Sequence, residues 1–204
     1  MQVPEHPGKL IYDEKKLQEI MSVNDPNTIY FYDVPNEYIK KEYVAFNNYE
    51  PTPFVDEKGV KWGSVEYYYQ AHKFVNFPDD KKAFEEIHNC PDSDSSKKRA
   101  RFYEKEYKGK WDKEGWEKGK KKEYYMKRGL VFKFSQHKDI LKLLLETGDK
   151  NIVERSPRDP YWGGMLPNSL NRLGDMLKEI RENYRKDKKI YLDGTDLEPI
   201  KIDL

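Results

Sequence analysis

Between Trp62 and Val75 two kinds of residue interleave at helical spacing, and this stretch constrains the fold more than any other. Ser64 is a favourable helix N-cap. After it, Val65, Tyr68, Tyr69, His72 and Val75 recur every three or four residues and make an apolar stripe. Glu66, Gln70 and Lys73 follow at i, i+4 and i+7, which places them on one polar stripe beside it. Large aromatic bodies are what such a chain can bury. The chain supplies them, with 4 Trp, 16 Tyr and 9 Phe. They are needed, because hydrophobic residues make up 36% of the chain and charged residues 37%, and mean hydropathy is −1.06. Such low hydropathy with few aromatics and high net charge would signal disorder; here the aromatics are many and the formal charge is +1. A folded chain with a heavily charged surface is expected. Its 204 residues suffice for one large domain with a substantial core.

Several classes of function are excluded by absence of pattern. No apolar run reaches the ~20 residues of a membrane span, so no membrane partner is expected. The N-terminus lacks the basic and apolar regions of a secretory signal. The lone Cys90 cannot form an internal disulfide, which suits a reducing compartment. An intracellular, cytoplasmic location is expected, or a nuclear one in a eukaryotic host. His6, His72, His88 and His137 have no metal-ligand spacing, and no dinucleotide fingerprint, P-loop or nucleophile elbow occurs. Neither metal nor cofactor is called for.

Turn signals and periodicity give an α+β chain dominated by helices. Strands are expected at 28–32, 59–62 and 152–154, with possible strands at 189–192 and 199–202. Helices are expected near 15–21, after Ser64, at 81–88, 123–134 and 137–146, and after a cap at Asn168 or Ser169. Residues 33–58 and 92–96 read as loop. The organisation is an N-terminal extension 1–27, one compact domain 28–188 and a C-terminal extension 189–204.

Charge is unevenly spread. Residues 97–133 hold 15 Lys/Arg against 6 Asp/Glu, so the remainder of the chain is net acidic. Phe102, Tyr103, Tyr107, Trp111, Trp116, Tyr124 and Tyr125 lie among these basic residues. Basic side chains beside aromatics suit a nucleic-acid or nucleotide ligand; a solvated face with inward-pointing aromatics fits the same pattern. Two clusters bear on chemistry. Glu66, Gln70 and Lys73 bring carboxylate, amide and ammonium together, either to hold a sugar or phosphate or as a plain solvent-facing stripe. Asp159-Pro160-Tyr161-Trp162-Gly163-Gly164, followed by Asn171 and Gly174, either lets backbone approach a ligand closely or forms a turn and a helix cap.

Taken together, these motifs resemble those of the NADAR, or YbiA-like, N-glycosidases. The segment Trp62-x-Ser64-x-Glu66-x-Tyr68-x-Gln70-Ala71-x-Lys73-Phe74 is similar to the family signature. Asn48-Tyr49-Glu50-Pro51-Thr52-Pro53-Phe54, Lys133-Phe134-x-Gln136, Asp159-x-Tyr161-Trp162-Gly163 and Asn171-x-Leu173-Gly174 follow in the family's order. Tyr67 stands where the family usually has His, and Trp116 and Lys120 are the best matches to its Arg-Asp-Trp segment.

The resemblance implies a compact α+β domain that hydrolyses N-glycosidic bonds of ribosyl compounds. Two substrate groups go with it: ADP-ribose on guanine bases of nucleic acid, and ribosylamino-pyrimidine phosphates of riboflavin biosynthesis. The charge of 97–133 favours the first, with DNA as a partner; a non-catalytic ADP-ribose or nucleic-acid binding module is the third reading. Breaking a C1–N bond builds positive charge on the ribose. Glu66 is the candidate to stabilise it. Lys73 or Asp159 would protonate the leaving nitrogen, or Lys73 would attack C1 and form a Schiff base. Asn48, Tyr49, Trp62, Gln70, Trp116, Trp162, Gly163 and Asn171 are the candidate substrate contacts.

Overall fold

A computed structural model describes residues 13–75, 81–108, 113–117 and 120–204. In chain order it contains α1 (Glu14–Met21), β1 (Thr28–Phe31), a 3-10 segment (Lys41–Phe46), β2 (Phe54–Val55), β3 (Lys61–Trp62), α2 (Val65–His72), α3 (Lys82–His88), α4 (Ser93–Glu106) and α5 (Lys113–Glu117). These are followed by α6 (Lys121–Gln136), α7 (Lys138–Glu146), β4 (Asn151–Glu154), α8 (Arg172–Asp187), β5 (Lys189–Ile190) and β6 (Ile200–Lys201). The fold is α+β and helix-dominated, and its strands are short. Among the described residues no helix is long and apolar enough to cross a membrane. Two compact units arise, each assembled from separate stretches: 1–47 with 139–188 and 204, and 48–138 with 189–203.

In the first unit β1 and β4 pair in parallel, from Thr28 opposite Asn151 to Phe31 opposite Glu154. Parallel strands need a long connection and covered faces. Helix α8 covers β4 with a buried row of Leu173, Met176, Leu177, Ile180 and Tyr184. The helix comes unusually close, because a Cβ on Gly174 would stand 2.1 Å from the Ile152 carbonyl oxygen. Helix α1 begins at Asp13, whose side chain accepts the Lys16 N–H at 2.8 Å. Buried Arg155 holds its other end. The guanidinium donates to the carbonyls of Met21 and Val23 and lies 4.7 and 4.1 Å from the ring centroids of Tyr30 and Tyr38.

In the second unit α2 is central, and α3, α4 and α6 pack around it. All eight of its residues are buried. Trp62, Tyr68, His72 and Phe84 make a ring cluster beside it, with His72 against Tyr125 and Tyr68 against Phe54 and Phe132. Burial pushes the His72 imidazole down to about 4, so it is a neutral core residue whose Nδ1 meets the Tyr68 carbonyl. Gly129 allows α6 to approach α2; a Cβ there would stand 3.0 Å from Val65 Cγ1. The β5–β6 hairpin belongs to this unit. Asp196 pairs with buried Arg128, which also meets Glu57 and donates to Tyr68 Oη at 3.0 Å.

The expected loop at 33–58 contains the 3-10 segment and one strand of the β2–β3 hairpin. The expected loop at 92–96 is the start of α4, with Asp92 as its cap accepting the Ser95 N–H. The final helix starts at Arg172, after Asn171, rather than at Asn168 or Ser169. Gly109, Trp111 and Gly119 lie outside the described residues.

Two outcomes follow from close approach and buried charge. Gly174→Ala forces α8 away from β4 and should lower stability by about 1–3 kcal/mol, read as a fall in Tm; an unchanged Tm would mean that helix and strand can separate freely. Lys133 is completely buried, and burial pulls its ammonium down from 10.5 to about 7 against the opposing pull of Glu50. The folded chain then binds fewer protons than the unfolded chain between those values. The cost of burying the charge is complete below pH 7 and lifts as pH rises toward 10.5. Relative to Lys133→Met, the wild-type Tm should therefore climb between pH 7 and pH 10, whereas a constant difference would show that Lys133 does not titrate there.

Candidate active site

The first turn of α2 is set by hydrogen bonds to the preceding loop and to α4. Ser64 holds the extended N-cap conformation, but its side chain does not cap the helix. Its Oγ lies 2.8 Å from Ser93 Oγ, and Ser93 Oγ donates to the Tyr49 carbonyl at 2.9 Å. A hydroxyl has one proton, so Ser64 must be the donor to Ser93. The Glu66 N–H donates to the Asn48 carbonyl at 3.1 Å. Loop, helix start and α4 are thereby fastened at one point.

Glu66 is 5% exposed and Gln70 3% exposed, so the polar stripe is not a solvent-facing one. Gln70 Nε2 donates to Glu66 Oε1 at 2.8 Å, the i, i+4 contact that the spacing implied. Asn48 is also buried, and its Nδ2 reaches Met126 Sδ at 3.0 Å. Among the described residues Glu66 has no cationic partner.

Lys73 does not continue this group. It is the C-cap of α2, and its Nζ lies 2.6 Å from Glu104 Oε1 on α4 and 5.6 Å from the Tyr69 ring centroid. Trp116 is buried, with ring contacts to Tyr69 at 5.2 Å and Tyr125 at 5.7 Å. Trp62 is 1% exposed among the core rings, and its indole N–H donates to Asp56 Oδ2 at 2.9 Å. Its ring and its one polar atom are therefore covered by the core. Tyr49 is half-buried, with the Lys97 ammonium 5.0 Å from its ring centroid.

The other cluster lies in the first unit and is largely explained by its backbone. Asp159 Oδ1 accepts the N–H groups of Tyr161 and Trp162, both at 2.9 Å. The carbonyls of Pro160, Tyr161, Trp162 and Gly163 accept the N–H groups of Leu170, Arg172, Leu173 and Asn171. This turn therefore satisfies donors at the start of α8, which would otherwise be unpaired. A Cβ on Gly163 would stand 2.7 Å from the Asp159 carbonyl oxygen. Asn171, at φ 50°, accepts from Glu154 N and donates to the Ile152 carbonyl, pinning α8 to β4. Gly163 and Asn171 thus carry packing and capping duties. The Trp162 ring is half-buried, edge-on to Tyr161 at 4.9 Å.

Two residues, Ser93 beside Ser64 and Glu104 beside Lys73, were not singled out by sequence reasoning. Ser93 was legible from Asp92, a cap residue. Glu104 reaches Lys73 from 31 residues away and carries no local signal. The basic segment also resolves: Lys98, Arg99, Arg101 and Lys105 are exposed on α4, while Tyr103 and Trp116 turn inward. Phe102 is the exception, 51% exposed among the charges. Among the described residues no three His, Cys, Asp or Glu side chains form a metal site.

Comparison with known proteins gives a consistent assignment. N-glycosidase Npun_R5314 of Nostoc punctiforme is 34% identical over 159 residues, covering 78% of this chain and 93% of its own. N-glycosidase YbiA of Escherichia coli is 31% identical over 174 residues, covering 85% and 98%. The NMR structure of E. coli YbiA matches with a TM-score of 0.64 over 84% of this chain and 93% of that one. The riboflavin biosynthesis protein PYRR of Zea mays is 35% identical over 144 residues, 67% of this chain but 23% of that longer protein. The NADAR domain matches residues 30–185, and the chain belongs to that family.

Proposed function

We propose that this chain is an N-glycosidase that removes ADP-ribose from guanine bases of nucleic acid, with Glu66 stabilising the sugar cation. N-glycosidic hydrolysis is the activity named for the Nostoc and E. coli relatives. The observation that carries the reading is Glu66 itself: a carboxylate buried at the head of α2 that, among the described residues, is held by an amide and by no cation. Burying a charge without a counter-charge is costly. Such a group is worth keeping where a cation forms during reaction. A binding module would have no use for it, which favours catalysis over the non-catalytic reading.

The chemistry balances with water as the second reactant. The C1–N bond breaks and its electron pair stays on the base nitrogen, which takes a proton. Positive charge develops on the ribose and faces the Glu66 carboxylate. Water adds to C1 and gives its proton to Glu66. Lys73, with its Nζ engaged by Glu104 at 2.6 Å, is read here as a proton donor, and nucleophilic attack on C1 to form a Schiff base is the alternative role. Asp159 has one oxygen engaged in its turn.

Exposed Lys98, Arg101 and Lys105 on α4, with Phe102 among them, support a nucleic-acid substrate. A second reading, hydrolysis of ribosylamino-pyrimidine phosphates, is favoured by the similarity to maize PYRR, a protein named for riboflavin biosynthesis. Incubation with an ADP-ribosylated guanine oligonucleotide and with ribosylamino-pyrimidine phosphate, followed by chromatography of the released base, separates the two. Glu66→Gln should keep the Tm and lose about 100-fold or more in kcat, the equivalent of ~3 kcal/mol of transition-state stabilisation; turnover near that of the wild type would remove Glu66 from the mechanism.

A further inference from the structure

Among the described residues the Gln70 side chain uses one of its two polar ends. Its Nε2 donates to Glu66 Oε1 at 2.8 Å, one turn back along α2. Its Oε1 belongs to the same planar amide, is buried, and receives no hydrogen bond there. The residue is 3% exposed, so bulk solvent does not serve that oxygen freely. A buried amide oxygen without a donor is costly. A methionine of similar length at this position would leave no polar atom unpaired. The amide therefore needs a reason beyond packing, and the orphaned oxygen lies in the same group that holds the candidate catalytic carboxylate.

The neighbour narrows what can donate to it. As the base of the proposed reaction Glu66 is a carboxylate, and a carboxylate only accepts. Whatever donates to Gln70 Oε1 therefore meets two acceptors, that oxygen and the remaining lone pairs of Glu66. A phosphate oxygen suits neither. A hydroxyl carries one proton and suits one. Water carries two protons, one for each acceptor, and its lone pairs then face away from both. We propose that Gln70 Oε1 and Glu66 together seat the water that attacks C1. The inference rests on reading Glu66 as the base of an N-glycosidase, and it adds the residue that aims the nucleophile. In the step, a water lone pair forms the C1–O bond while the C1–N pair leaves on the base nitrogen. One water proton passes to Glu66. The other stays on the oxygen, hydrogen-bonded to Gln70 Oε1. The Gln70 N–H keeps its bond to Glu66 throughout, so one amide fixes base and nucleophile together. A nucleophile left unaimed loses rate without loss of substrate affinity.

Methanol separates a built water seat from an open approach, because it has one proton and satisfies only one of the two acceptors. The ADP-ribosylated guanine oligonucleotide and ribosylamino-pyrimidine phosphate are each incubated with the full-length protein in buffer containing methanol. Free sugar and its methyl glycoside are then quantified by chromatography. The wild type should form methyl glycoside at less than about one tenth of the molar share of methanol in the solvent. A yield at the full molar share would overturn the proposal, and this arm needs no variant. Gln70→Met, checked for an intact Tm, should lose about 10- to 100-fold in kcat with KM within about 2-fold, and its methyl glycoside yield should rise toward the molar share. A wild-type kcat in that variant, or a reduced kcat with selectivity against methanol undisturbed, would also overturn it. Base release from the oligonucleotide without exclusion of methanol overturns this inference and leaves the proposed function standing. Release from the pyrimidine phosphate alone, with methanol excluded, does the reverse, and release from neither removes both.

Discussion

A short helix with no outward face is the constraint on which the second unit depends. Each residue of α2 is buried, yet the segment includes a glutamate, a glutamine and a histidine. A buried polar side chain has to find a partner within reach, and each of these three has one that fixes its geometry, although Gln70 Oε1 is left without a donor among the described residues. His72 turns back to the Tyr68 carbonyl, and Tyr68 receives Arg128. Gln70 turns to Glu66, whose own N–H holds the Asn48 loop. The apolar stripe makes the core, and the polar stripe leaves a carboxylate inside it. Fold and candidate chemistry thus share one helix.

The sequence made some of this legible and hid the rest for identifiable reasons. The i, i+4 relation of Glu66 and Gln70 follows from helix geometry, and their contact matches it. Their burial does not follow, because a polar stripe is normally the wet side of a helix; only the arrival of α3, α4 and α6 from elsewhere in the chain buries it. Ser64 shows the same limit. Its position as the residue before the helix was legible, but its hydroxyl serves Ser93, 29 residues on. At Asn168 and Ser169 the residue types of a cap misled, because the carbonyls of Pro160–Gly163 supply the partners that a side-chain cap would have supplied. The motif around Trp162 and Asn171 reads as a ligand loop in sequence, and its geometry is chiefly that of a strand–helix junction. The aromatics among the basic residues were ambiguous for a related reason: periodicity does not say which side of α4 and α6 faces water.

Each unit also holds one terminal segment by a buried guanidinium. Arg128 binds the hairpin of the C-terminal segment through Asp196, and Arg155 binds α1 through backbone carbonyls. Arginine suits both places, because its planar fork donates in several directions and stays charged when desolvated. The C-terminal segment therefore bears on the same α6 residue that hydrogen-bonds Tyr68 of α2.

The two attachments differ in what can loosen them. Arg128 depends on carboxylates that acid neutralises and brine screens. The hydrogen-bond and ring partners of Arg155 are main-chain oxygens and phenol rings, and the Glu37 carboxylate acts on it only at a distance, behind the two tyrosines in strength. The leading helix should consequently be less sensitive to acidification and concentrated electrolyte than the trailing hairpin.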